Sequence, residues 1–179
     1  MTVLSDWEIR GLCGYAEAPM IHPFNESLLN PASYDLQLGP NLMVEVRDQF
    51  ELMRLDISDR TEDDPYLLLP GEVCLAETVE QFNLPDKFGA ISAQFVLKSS
   101  RARDFYGHML AGWCDPGWNG SRLTLELKNE RKHHPLPLYP GMKIGQMVFF
   151  RMSRDPVVSY AKVGVGHYNN HKTVMPNVT

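Results

Sequence analysis

In the segment R-L-T-L-E-L-K, Leu123, Leu125 and Leu127 alternate with Arg122, Thr124, Glu126 and Lys128. A period of two marks a strand with one buried and one polar face, so Glu126 is expected to point away from the leucine core. Similar short runs recur along the chain. Residues 34–38 alternate and end at Gly39-Pro40, and 42–46 alternate again. Further runs at 66–69, 72–79 and 88–95 are separated by Pro70-Gly71 and by Leu84-Pro85-Asp86. Residues 136–138, a Pro140-Gly141 turn and 146–152 follow the central stretch. One segment reads as a helix: Ser5-Asp6-Trp7-Glu8 has the form of a capping box, predicting a helix over 6–13 that stops at Gly14. The prolines of 19–33 favour an extended loop, and D-I-S-D-R-T-E-D-D-P at 56–65 an acidic, polar one. Short strands punctuated by Gly and Pro turns predict an all-β sandwich or barrel, and the pattern does not choose between them.

Composition narrows the picture. With 179 residues and 44% hydrophobic content, the chain is long enough for one domain with a sizeable core. A formal net charge of -5 argues against a nucleic-acid polymer as partner, because backbone binding needs a basic face. A nucleotide needs only a local basic cluster. Cys13, Cys74 and Cys114 are few and odd in number, as expected of free thiols in a reducing compartment. The N-terminus lacks the features of a signal peptide and no apolar run has membrane length, so a cytoplasmic protein with no membrane partner is expected.

The candidate chemistry lies within 98–129. Ser99, Ser100, Arg101 and Arg103 supply hydroxyl and guanidinium donors suited to phosphate oxygens. A D-P-G turn and the carboxylate of Glu126 follow within the same short length. Taken singly, these are a solvated turn, a plain turn and a surface carboxylate; taken together they are the inventory of a nucleotide site. Zinc-dependent nucleobase deaminases carry H-x-E with P-C-x-x-C, and this chain has no C-x-x-C, so zinc is not expected. Lys132-His133-His134 runs straight into Pro135 and reads as a loop.

These residues resemble the dCTP deaminase family of the trimeric dUTPase superfamily. The resemblance rests on N-P-A-S-Y-D-L-Q-L-G at 30–39, K-S-S-R-A-R at 98–103, A-G-W-C-D-P-G-W-N-G at 111–120, L-T-L-E-L-K-N at 123–129 and Y-P-G-M-K-I-G-Q-M-V-F-F at 139–150. It implies a distorted jelly-roll or β-barrel, a homotrimer with active sites between subunits, and dCTP as substrate, carried with Mg2+ on its triphosphate. It gives dUTP and a regulatory dTTP as further candidate ligands. Residue by residue, it assigns water activation to Glu126, a place beside the catalytic water and phosphates to Ser99, and a place beside the sugar and a hydrolytic water to Asp115. Lys98, Ser100 and Arg103 match residues near the triphosphate. Ala111, followed in the same block by Trp113, matches a position against the base. Tyr160 and Tyr168 match tail tyrosines, while His171 and Lys172 stand where the family has glutamines. The resemblance thus makes 160–179 a C-terminal lid.

Departures are visible. Lys98 stands where many members carry arginine, Arg101 replaces an apolar residue, and Asp104-Phe105-Tyr106 replaces L-G-L. One extra residue between Gly120 and Glu126 predicts a β-bulge that re-aims the glutamate. The resemblance implies deamination of dCTP to a deoxyuridine nucleotide and ammonia, supplying dUMP for thymidylate synthesis. A bifunctional enzyme releasing dUMP and pyrophosphate, a plain dUTPase, and a non-catalytic nucleotide binder on the same fold stand as alternatives. A-G-W and the V-M-P tail favour the bifunctional type.

Overall fold

In chain order the strands are β1 (Thr2–Val3), β2 (Ile21–His22), β3 (Leu29–Asn30), β4 (Ser33–Val44), β5 (Met53–Asp56), β6 (Tyr66–Leu68) and β7 (Val73–Asn83). Then follow β8 (Ile91–Leu97), β9 (Tyr106–His108), β10 (Trp113–Cys114), β11 (Asn119–Asn129), β12 (Leu136–Leu138) and β13 (Lys143–Arg151). The helices are α1 (Asp6–Gly14), α2 (Ser99–Arg103) and a 3-10 turn at Glu26–Leu28. The structure is a computed structural model that describes residues 1–14, 18–162 and 166–177. Its main sheet is antiparallel and runs β10-β8-β13-β4-β7-β11-β9, with β1, β2, β3 and β5 on its flanks. β6 and β12 form a separate pair. The sheet curls into an incomplete barrel, so the all-β expectation with one short N-terminal helix holds.

Local chemistry accounts for the elements. At the start of α1, the Glu8 carboxylate reaches back to the Ser5 backbone N–H at 3.1 Å, the reciprocal half of a capping box. Along β11, Leu123, Leu125 and Leu127 are buried while Arg122, Thr124, Glu126 and Lys128 are half-buried, as the alternation predicts. Register against β7 slips between Asn119 and Ser121 and again between Arg122 and Thr124, which is the bulge expected from the extra residue.

The structure corrects two expectations. Residues 34–38 and 42–46 are not two strands: β4 runs through Gly39-Pro40 without a break. Its first half pairs with β13 and its second with β5 and β7, and the register against β7 shifts between Leu38 and Leu42. Pro40, which has no N–H, sits at this irregularity, and its carbonyl accepts from Ile57 at 2.8 Å. A side chain at Gly39 would place its Cβ 2.6 Å from the Glu77 Cγ, so the partner change requires glycine. Second, residues 88–90 are not strand. The Asp155 carboxylate accepts the N–H groups of Phe88, Gly89 and Ala90 at 2.7, 3.1 and 3.0 Å, and β8 begins only at Ile91. The basic turn at 99–103 is one turn of helix, α2. The departure Arg101 staples it in place: its Nε donates to the Lys143 carbonyl at 3.0 Å, and its guanidinium covers the Tyr106 ring.

One buried group in this sheet is electrostatically costly. Glu80 on β7 is 1% exposed, its carboxylate accepts the Gln37 N–H at 3.1 Å, and burial pushes its pKa up to about 7. A carboxyl raised in this way makes the folded state hold an extra proton from the ordinary glutamate range up to about 7, so stability is lost as pH rises through that window. Glu80→Gln keeps an acceptor for Gln37 without the charge. Its stability relative to wild type should improve by up to about 3 kcal/mol between pH 5 and pH 8. Denaturant unfolding at the two pH values checks this, and a pH-independent difference would contradict it.

Candidate active site

The polar face of β11 carries Arg122, Thr124 and Glu126 at spacings of two, and this face forms one wall of a cavity of about 500 Å³. Such a volume suits a small ligand. The 111–118 loop supplies a second wall through Ala111, Trp113 and Asp115, and the tail a third through Tyr160, Tyr168 and His171. Trp118 stacks on Phe82 at 5.6 Å between ring centres, and its indole N–H donates to the Tyr168 carbonyl. It therefore ties the D-P-G-W turn to the tail.

Glu126 is held by its strand neighbours rather than by a surface loop. It pairs with Leu75 on β7, and its carbonyl accepts from Met109 at 3.2 Å. Its side chain is 24% exposed, and Oε2 lies 3.2 Å from Nε2 of His108, whose own side chain is 5% exposed. Neither atom has a well-aligned hydrogen-bond partner among the described residues. The Leu110 N–H donates to His108 Nδ1 at 3.2 Å, so the proton of a neutral imidazole sits on Nε2, facing the carboxylate. The Phe95 ring, 4.7 Å from the imidazole centre, packs against it. The arrangement sets a buried oxygen of the Glu126 carboxylate beside the Nε2–H of His108, while the side chain as a whole lines the cavity.

The second anchor is Glu77, fully buried on β7. Its Oε1 accepts from Asn41 Nδ2 and from Arg122 Nη1, both at 2.8 Å, and its Oε2 accepts the Val174 N–H at 2.8 Å. Three elements meet on this carboxylate: β4, β11 and the tail. The tail continues the same seam. Asn170 N–H donates to the Asn119 carbonyl, Arg122 N–H to the His171 carbonyl, His171 N–H to Ser121 Oγ, and Val174 is buried.

The sequence-predicted residues divide into two groups. Glu126, Asp115, Ala111, Trp113, Tyr160, Tyr168 and His171 share the cavity wall. Asp115 is exposed and accepts the Trp113 indole N–H at 3.0 Å. Ser99, Ser100 and Arg103 stand exposed on α2 and take no part in that wall, nor do Lys98 and Lys172. Lys98 Nζ lies 2.5 and 2.6 Å from the Asp35 carboxylate oxygens. Burial disfavours the Asp35 anion, but bonds from Lys98, Asn30 and Lys143 outweigh it and hold that carboxyl below its ordinary range. Lys172 donates to Gln81 at 2.9 Å. His108, Glu77 and Arg122 are the residues the sequence reading missed as site groups. Arg122 was legible as a member of the Glu126 face; the other two carry no local signal. Among the described residues no three His, Cys, Asp or Glu side chains are grouped to hold a metal.

A family model described as dCTP deaminase-like matches residues 3–152. A dCTP deaminase, dUMP-forming, of Mycobacterium ulcerans is 36% identical over 157 residues, covering 82% of this chain and 79% of the relative. The dCTP deaminase, dUMP-forming, of Methanopyrus kandleri is 34% identical over 198 residues, covering 99% and 95%. Among solved structures, the 2'-deoxycytidine 5'-triphosphate deaminase of Agrobacterium tumefaciens matches with a TM-score of 0.63 at 24% identity, over 84% of this chain and 48% of that one, a likeness of fold.

The Glu77 seam generates a direct test. Glu77→Ala leaves the Arg122 guanidinium without its counter-charge and the Val174 N–H without an acceptor. Unfolding stability should fall by about 3–5 kcal/mol, the usual cost of breaking a buried pair. Limited proteolysis should also cut the tail faster than in wild type, whereas equal protection would show that Glu77 does not hold it.

Proposed function

The chain belongs to the dCTP deaminase-like family, and from that membership we propose that it converts dCTP and two waters to dUMP, pyrophosphate and ammonia. The observation that carries this reading is Glu126: a carboxylate on the polar face of β11, walled in by the 111–118 loop and the tail, with Oε2 unpartnered beside His108. The relatives' dUMP-forming names support the bifunctional alternative over release of dUTP.

The deamination proceeds as a general-base hydrolysis. Glu126 takes a proton from a water as its oxygen bonds to carbon 4 of cytosine. The carboxyl then delivers that proton to ring nitrogen 3. Glu126 next takes the proton of the new hydroxyl on carbon 4 and passes it to the amino nitrogen; as the carbonyl forms, the carbon–nitrogen bond breaks and ammonia leaves, giving uracil. The Nε2–H of His108 steadies the carboxylate between these transfers. In the second hydrolysis, water adds to a phosphorus at the α–β bridge and pyrophosphate departs. Asp115, on the wall that the 111–118 loop supplies, is the carboxylate we assign to the sugar and to that water.

The triphosphate enters as its magnesium complex and meets Ser99, Ser100 and Arg103. These donors are exposed on α2 and lie outside the Glu126 cavity of their own chain, a separation that supports sites shared between subunits of a homotrimer. Exposed Phe105, Met109, Leu110 and Trp113 follow α2 and supply apolar surface for such an interface. In this reading the tail expected at 160–179, of which 163–165 and 178–179 lie outside the described residues, closes the site, one dCTP deaminase-like unit makes up the chain, and the enzyme works in the cytoplasm. Among the described residues no helix is long and apolar enough to cross a membrane.

Glu126→Gln tests the assignment. The amide keeps the shape of the side chain but accepts no proton, so ammonia release from dCTP should fall by about 10²- to 10⁴-fold while dCTP binding is retained. Isothermal titration and an ammonia assay read the two quantities separately. Near-normal turnover by this variant would remove Glu126 from the mechanism.

A further inference from the structure

Arg122 shares the cavity face of β11 with Glu126 and lies four residues away, so the two Cα atoms are about 13 Å apart along the strand. A guanidinium has five N–H donors and no acceptor. Among the described residues only Nη1 is engaged, on Glu77 at 2.8 Å, while Nε is buried and has no partner there. The side chain is 24% exposed and lines the cavity. Neutralising Glu77 requires one positive nitrogen, for which lysine would serve; the remaining forked donors have no structural task. Because Glu77 already balances the charge, the complement of these donors is a neutral oxygen rather than a phosphate. Arg122, Thr124 and Glu126 line the same cavity, so a nucleoside laid along this face with its amino carbon against Glu126 would bring its other oxygens toward Arg122.

We propose that Arg122 is a specificity-determining residue that donates to a neutral oxygen of the bound nucleoside, either the 2-oxo group of cytosine or the deoxyribose 3′-oxygen. This rests on the dCTP reading of the same cavity. It also joins substrate recognition to tail closure, since the second oxygen of Glu77 holds the Val174 N–H.

The test compares the wild-type chain with Arg122→Lys, which keeps a cation for Glu77 and loses the fork. Ammonia release is followed with magnesium and dCTP, its 2-thiocytosine analogue, or the 2′,3′-dideoxy analogue. In the wild type, kcat/KM falls about tenfold or more for one analogue, and which analogue it is identifies the ring or the sugar oxygen. Arg122→Lys loses about tenfold or more in kcat/KM for dCTP, chiefly through KM, and its penalty for that same analogue shrinks to about twofold. A wild type indifferent to both analogues, an unchanged KM in Arg122→Lys, or unchanged analogue ratios would each overturn the proposal. Should Arg122→Lys fail to fold by sedimentation and circular dichroism, Glu77→Gln with Arg122→Met removes both charges together and is read by the same ratios. Absence of ammonia from dCTP with the wild type would overturn the dCTP reading and this inference with it. Normal wild-type turnover with an unaffected Arg122 variant would overturn only the role of Arg122.

Discussion

A fully buried carboxylate survives in a folded protein only when donors replace the water it has lost, and Glu77 obtains three of them from three separate parts of the chain. Asn41 comes from β4 just beyond the point where that strand changes partners, Arg122 from the bulged start of β11, and the Val174 N–H from the tail. Gly39 is small because Glu77 occupies the space its side chain would need. The corner of the barrel, the aim of β11 and the seating of the tail are thus consequences of satisfying one charge.

The placement of Glu126 follows. The bulge between Asn119 and Thr124 sets which side of β11 faces the tail, and from there strict alternation carries Thr124 and Glu126 to the same side as Arg122. The leucines on the opposite face bury completely or nearly so, which keeps the strand from rotating. The cavity is therefore built on a rigid strand and enclosed by two irregular segments, the 111–118 loop and the tail, whose positions depend on Trp118, Ser121 and Glu77.

What could be read from the sequence was whatever depends on near neighbours. The polar face of 122–128, the capping box at Ser5 and the turn at Pro140-Gly141 are local patterns, and each formed as expected. The continuity of β4 through Gly39-Pro40 was hidden because proline and glycine there serve a partner change, which is set by strands far off in sequence. His108 and Glu77 were hidden for the same reason. One acts through a residue eighteen positions on and the other through residues 36 to 97 positions away. The seating of the tail was hidden as well, since its bonds to Asn119, Ser121 and Arg122 leave no period in its sequence.

The central claim is that one enclosed site performs both a deamination and a phosphoanhydride hydrolysis. It is tested most directly by reacting excess enzyme with magnesium and dCTP in oxygen-18 water and weighing the products by mass spectrometry. The account predicts dUMP and pyrophosphate without accumulated dUTP, with one heavy oxygen on carbon 4 of the uracil and a second on a product phosphate. Formation of dCMP, or of dUMP with no label on carbon 4, would contradict it.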